Sequence, residues 1–177
     1  SDERQGAKPA QWMAASGATR VFHWSRVEGQ DCDRLARIMA GVSVGLILSG
    51  GGARAYSHIG VVRAMRELGL PIDFVGGASM GSVIAACVAM GWSDDEIEMR
   101  IRKAFVDSNP LGDYHLPVVG MVKGARVNAR LKEHFGEAEI GDLHLPFFCT
   151  STNLTTGSTR IHREGLLRNA LRATISL

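Results

Sequence analysis

The sequence predicts an α/β fold built on a largely parallel sheet. Three observations predict it. Short apolar runs alternate with longer helical patterns, two of those runs end in glycine clusters, and a helix follows each cluster at once. Right-handed crossovers would then bring both glycine clusters to the C-terminal ends of neighbouring strands.

The first run, Val42-Ser43-Val44-Gly45-Leu46-Ile47-Leu48, is apolar and β-branched and reads as a buried strand. It passes into Ser49-Gly50-Gly51-Gly52-Ala53-Arg54-Ala55. An amphipathic helix from Tyr56 to Leu68 follows, with Ile59, Val62, Met65 and Leu68 at helical spacing. The second run, from Ile72, ends in Gly76-Gly77-Ala78-Ser79-Met80-Gly81. This is the G-x-S-x-G pattern of a nucleophile elbow, with Ser79 presented on a sharp strand-to-helix turn. Gly77 and Gly81 leave room where a Cβ would clash, and Ala78 and Met80 complete the elbow. A helix N-terminus directs unpaired N–H groups at any negative charge formed there.

Val83 to Met90 is the longest apolar stretch and reads as a helix buried on all sides. It is far shorter than the ~20 residues a membrane span needs. Ser93-Asp94-Asp95-Glu96 reads as a capping box opening a helix with Ile97, Ile101 and Phe105 on one face. Arg100, Arg102 and Lys103 make its far half basic. That suits either a solvated face or contact with anionic lipid. Pro110 to Val122 reads as a long loop beside the site, Ala125 to Phe135 as a helix, and Pro146 to Ser151 as a strand. A turn at Thr155-Thr156-Gly157, a strand through His162 and a helix from Gly165 to Ala173 complete the series.

The glycine loop admits three readings. Gly50, Gly51, Gly52, Ala53 and Arg54 can supply N–H groups and a fixed positive charge, as an oxyanion hole requires. Alternatively, Gly50-x-Gly52-x-x-Ala55 fits a dinucleotide fingerprint, with Asp73 about 20 residues on as the ribose-binding acid. The third reading is a turn needed only for packing. Asp73 stands at the start of its strand rather than its end, and the dinucleotide reading leaves Ser79 without a role. Both points favour the oxyanion loop. A self-sufficient triad in the order Ser79, Asp142, His162 is a further alternative. Against it, Asp142 reads as part of a turn and His162 as the end of a polar strand.

Composition excludes several classes. With 45% hydrophobic and 21% charged residues the chain suits one globular domain. A net charge of +2 without a basic tract argues against nucleic acid as a partner. Cys32, Cys87 and Cys149 are widely spaced, and the six histidines show no zinc pattern. We therefore expect no metal, no cofactor and a reducing, cytoplasmic setting.

The pair Gly50-Gly51-Gly52-Ala53-Arg54 and Gly77-Ala78-Ser79-Met80-Gly81, one strand–helix unit apart, resembles the patatin-like phospholipases, whose motifs are G-G-G-x-R-G and G-x-S-x-G. Further stretches resemble the neuropathy target esterase branch of lysophospholipases. They are Asp33 to Arg37, Tyr56 to Gly60, Asp113 to Pro117, Leu145 to Cys149 and Ser151 to Gly157. The likeness runs from about Asp31 to Leu177, which leaves 1–30 as a flexible lead-in or linker and 31–177 as a partial catalytic domain.

The resemblance implies a three-layer sandwich and a serine hydrolase of phospholipid or lysophospholipid esters. Ser79 would be the catalytic nucleophile of a serine–aspartate dyad, working at or near a membrane surface. Position 55 is alanine where the family motif has glycine, and no Asp-Gly dipeptide occurs to supply the family's aspartate. The expectation is a catalytic domain that stops before its base, with its last strands missing. It would be nearly inactive alone and prone to self-association through an open sheet edge. The opposing non-enzyme hypothesis is a regulatory or scaffold fragment with a vestigial serine.

Overall fold

The computed structural model describes residues 15–17, 30–107 and 125–175. Most of the expected lead-in, the loop Pro110 to Val122 and the stretch Asp113 to Pro117 lie outside the described residues.

Among the described residues, four strands form one sheet in the order β1 (Gly45–Leu48), β2 (Phe74–Ala78), β3 (Phe147–Thr152), β4 (Thr159–His162). β1, β2 and β3 run parallel, with Leu48 beside Gly77 and Gly77 beside Cys149. β4 returns antiparallel, with Cys149 beside His162. Helices α1 (Gln30–Met39), α2 (Ser57–Glu67), α3 (Met80–Ala89), α4 (Asp94–Ile101), α5 (Ala125–Phe135) and α6 (Leu167–Ile175) fill the connections. The architecture is the α/β fold with a mainly parallel sheet that the alternating runs predict.

The core sits where α3 crosses the sheet. Every residue of α3 is buried. It packs on β1, β2 and β3 and against α2, α4 and α6. Val83, Ile84 and Val88 are almost fully enclosed, each burial stabilising by about 1.5–3 kcal/mol. Small residues at Gly81, Ala85, Ala86 and Ala89 let the helix lie close to the strands. On the opposite face of the sheet, the rings of Phe74 and Phe148 lie across Gly45 and Gly76, and Ile47 and Ile161 remain half exposed.

Several expectations are corrected in detail. The first strand begins at Gly45, not Val42. The Val44 N–H donates to Asp73 Oδ2 at 2.8 Å, and the Asp73 N–H donates to the Val44 carbonyl at 2.8 Å. A side chain thus replaces one rung of the strand ladder. The sequence reading did not foresee α1 as a helix. Arg37 on α1 grips the fully buried Asp73 with two nitrogens at 2.7–3.0 Å. The capping box is half formed. Ser93 Oγ accepts the Glu96 N–H at 3.2 Å, but the Glu96 carboxylate turns forward to Arg100.

The basic half of α4 is largely neutralised within the chain. Arg100 pairs with Glu96 and lies 4.2 Å over the Trp92 ring, and Lys103 pairs with Glu133 at 3.1 Å. Arg102–Asp107 continues α4 as a π-helical turn. Arg66 fastens α2 to the start of α4 through Asp94 and the Trp92 carbonyl.

Candidate active site

The site is built from two strand ends. β1 and β2 are parallel neighbours, so their C-terminal turns emerge side by side. After β1, Gly52–Tyr56 winds into a 3₁₀ turn that leads into α2. Gly52 has φ +54, a conformation that favours glycine. After β2 the chain turns at Ser79 straight into α3.

The elbow is tight because its glycines touch backbone. A Cβ on Gly81 would fall 2.3 Å from the Ser49 carbonyl oxygen and 2.4 Å from that of Leu48. One on Gly77 would fall 2.7 Å from the Leu48 oxygen and 2.8 Å from Ser82 N. Ser79 itself adopts φ +48, ψ −131, and among the described residues it is the one non-glycine with positive φ. Such strain persists only where the surroundings over-determine it. Here they do. The Ser79 N–H donates to Thr174 Oγ1 on α6 at 2.8 Å. Its carbonyl accepts both the Ser82 hydroxyl and the Ser82 N–H, at 2.5 and 3.0 Å.

The two loop tips meet. A Cβ on Gly50 would stand 3.2 Å from Ser79 Cβ. The glycine turn therefore lies directly against the serine. The Arg54 N–H donates to the Gly51 carbonyl at 3.1 Å, which leaves the Gly52 and Ala53 amides at the head of the turn without an intrahelical acceptor. His58 holds the turn's root, with Nε2 3.0 Å from the Ser49 carbonyl. The Ala55 methyl is buried in the core, so alanine is accommodated where the family motif has glycine.

The competing residues are engaged elsewhere. Asp73 precedes β2 at the opposite end of the sheet and is committed to Arg37 and Val44. Burial pushes its carboxyl up, but the Arg37 fork, the Val44 amide and the nearby Arg34 charge more than offset this. They hold it below the usual carboxylate range. It is not placed to meet a ribose beside the glycine turn.

His162 hydrogen-bonds Ser151 at 2.7 Å. It stands two strands from β2, roughly 10 Å at ordinary strand spacing. Burial and the Arg160 charge lower its pKa. Asp142 is exposed on a 3₁₀ turn. Neither the Asp142–His162 pair nor any other side chain among the described residues hydrogen-bonds Ser79 Oγ.

Cys87 and Cys149 are buried, and their thiols are pushed up by burial, that of Cys149 to about 12. They stay protonated and are core, not nucleophiles. Sequence reasoning missed Thr174. Its contact with Ser79 spans 95 residues, and no local spacing signals it.

The chain is thus an α/β domain with a serine at a strained strand–helix turn, flanked by a glycine turn on the adjacent parallel strand. Comparison with known sequences narrows the class. Residues 46–177 match the patatin-like phospholipase family. The chain belongs to that family.

It is 40% identical over 158 residues to a patatin-like phospholipase domain-containing protein of Caenorhabditis elegans, covering 87% of this chain and 12% of that one. It is 37% identical over 162 residues to patatin-like phospholipase domain-containing protein 6 of Mus musculus, covering 89% and 12%. An uncharacterised NTE family protein of Mycobacterium tuberculosis is 39% identical over 143 residues, covering 81% and 24%. The chain thus spans a quarter or less of the length of these relatives.

Proposed function

We propose that the chain carries the nucleophile and oxyanion loop of a serine hydrolase acting on phospholipid or lysophospholipid carboxyl esters. The family supports lipid-ester hydrolysis in general. The observation that carries the residue assignment is the convergence of Gly50 on Ser79 beside a strained elbow.

Ser79 Oγ attacks the ester carbonyl. The carbonyl oxygen becomes an oxyanion, held by N–H groups around Gly51, Gly52 and Ala53, with Arg54 adding positive charge to the loop. The alcohol departs and an acyl-serine remains. Water then attacks the acyl carbon and restores the serine.

A serine at its free pKa is a weak nucleophile, and no side chain among the described residues accepts its proton. We assign the base to an aspartate of Asp-Gly-Gly or Asp-Gly-Ala type, as the family resemblance implies. It lies outside these 177 residues, which contain no Asp-Gly. On this reading residues 31–177 are part of a catalytic domain.

Its substrate resides in lipid aggregates, so the enzyme works in contact with a lipid surface. No described helix is long and apolar enough to cross a membrane, which suits peripheral contact. Three free cysteines support a cytoplasmic setting. Two assays test the reading. A longer chain containing the aspartate should hydrolyse lysophospholipid ester, and Ser79→Ala should abolish that activity. The 177-residue chain should be slower by at least ~10³-fold. Comparable rates from both chains would refute the outside base, and an active Ser79→Ala would refute the nucleophile.

A further inference from the structure

We propose that Thr174 and Ser82 form a backbone clamp that sets the rate of attack by Ser79, acting as positioning residues; this rests on the reading of Ser79 as the nucleophile. The clamp grips the serine's main chain, not its side chain. Thr174 Oγ1, on α6, accepts the Ser79 N–H at 2.8 Å. Ser82, fully buried in the first turn of α3, donates both its hydroxyl and its N–H to the Ser79 carbonyl. Both peptide groups that flank the strained Cα are therefore pinned.

The arrangement has two chemical consequences. First, φ +48 is a conformation that a serine leaves readily. If the peptide relaxes, Oγ swings away from the Gly50 side of the site, and small misplacements cost rate steeply. Second, the Ser79 N–H is spent on Thr174, so it does not serve the oxyanion. That duty falls on the glycine turn, whose Gly52 and Ala53 amides have no intrahelical acceptor.

The two halves differ in redundancy. Without its hydroxyl, Ser82 still donates its N–H to the same carbonyl. Without the Thr174 oxygen, the Ser79 N–H has no other acceptor among the described residues. Thr174 is thus the dominant half. It also ties the elbow to α6, whose Leu167, Ala170 and Leu171 are rooted in the core. Displacing α6 would therefore loosen the nucleophile directly.

The test uses the full-length protein and a fluorophosphonate probe that reacts with activated serines. Three variants at Thr174, to Val, Ala and Ser, are compared with Ser82→Ala, each with its thermal midpoint. Thr174→Val keeps shape but removes the acceptor. We expect Ser79 labelling and kcat to fall about 10–100-fold with KM within about twofold, the pattern of a transition-state effect. Thr174→Ala should show a similar loss, which covers the case in which Val does not fold. Thr174→Ser should recover to within about threefold of wild type. Ser82→Ala should lose only about two- to fivefold.

Folded Val and Ala variants labelled at the wild-type rate would overturn the clamp, as would a Ser variant as slow as Val. Absence of Ser79 labelling in the wild type would instead overturn the nucleophile reading, and the clamp with it.

Discussion

The two ends of β2 hold polar groups under opposite conditions. At the N-terminal end, Asp73 is wholly buried and satisfied by the Arg37 guanidinium and the Val44 amide. Its backbone is ordinary and its charge has a partner. At the C-terminal end, Ser79 is half-buried and strained, and its side-chain oxygen has no hydrogen-bond partner among the described residues. All of its fixed bonds are made by the main chain. One end spends its polar groups on stability. The other withholds a hydroxyl and a row of amides from internal bonding, which is the condition for binding something else.

The same comparison explains why Asp73 is a poor candidate for a ligand-binding acid, although its sequence distance from Gly50 suits one. A carboxylate already held by three donors gains little from a sugar hydroxyl.

The sharpest way to break the comparison is to move a methyl into the strained end. Gly81→Ala places a Cβ 2.3 Å from backbone oxygen, so the elbow must shift. We expect activity of the full-length enzyme to fall by ~10³-fold or more, with stability reduced by about 1–3 kcal/mol, read from ester hydrolysis and denaturant unfolding.

Next in size, Asp73→Asn should destabilise by about 3 kcal/mol, because it leaves Arg37 without its charge partner, yet leave kcat of the folded enzyme within about twofold. The sign with pH follows from the depressed carboxyl. The pair's contribution is complete above the unfolded carboxylate pKa of about 3.9 and is lost as pH falls through the lower folded value. Unfolding curves of wild type and Asp73→Asn should therefore converge in acid. A constant gap down to the lowest pH would sink this account of Asp73.

The smallest effect belongs to His162→Ala. His162 bonds Ser151 and stands two strands from β2, so hydrolysis should change by less than about twofold. A large loss would revive the Ser79–Asp142–His162 triad.

The shape of the candidate site was largely legible in the sequence because its backbone geometry is local. Glycine at 77 and 81 is required by contacts within the turn or with the neighbouring strand end, and the run of small and apolar residues in α3 announces a helix with no exposed face. The helix expected from Ala125 to Phe135 is present as α5.

What stayed hidden depends on distant partners. α1 is polar on average, and it is anchored by an ion pair to a residue 36 positions away. The first strand is shortened by that same carboxylate. Glu96 leaves its capping role because Arg100, one turn on, is a stronger partner than a backbone amide. Thr174 touches the elbow from 95 positions away, so no short window of sequence contains both.

The proposed site turns on one spatial convergence: a hydroxyl and a cradle of amide hydrogens meet at one ester carbonyl, the hydroxyl at its carbon and the amides at its oxygen. The most direct measurement is a crystal structure of the full-length protein with Ser79 carrying a phosphonate, which mimics the tetrahedral intermediate. This convergence requires the phosphonyl oxygen to lie within roughly 2.7–3.1 Å of amide nitrogens of Gly51, Gly52 or Ala53. A phosphonyl oxygen turned to solvent, or held by donors remote from the glycine turn, would contradict it.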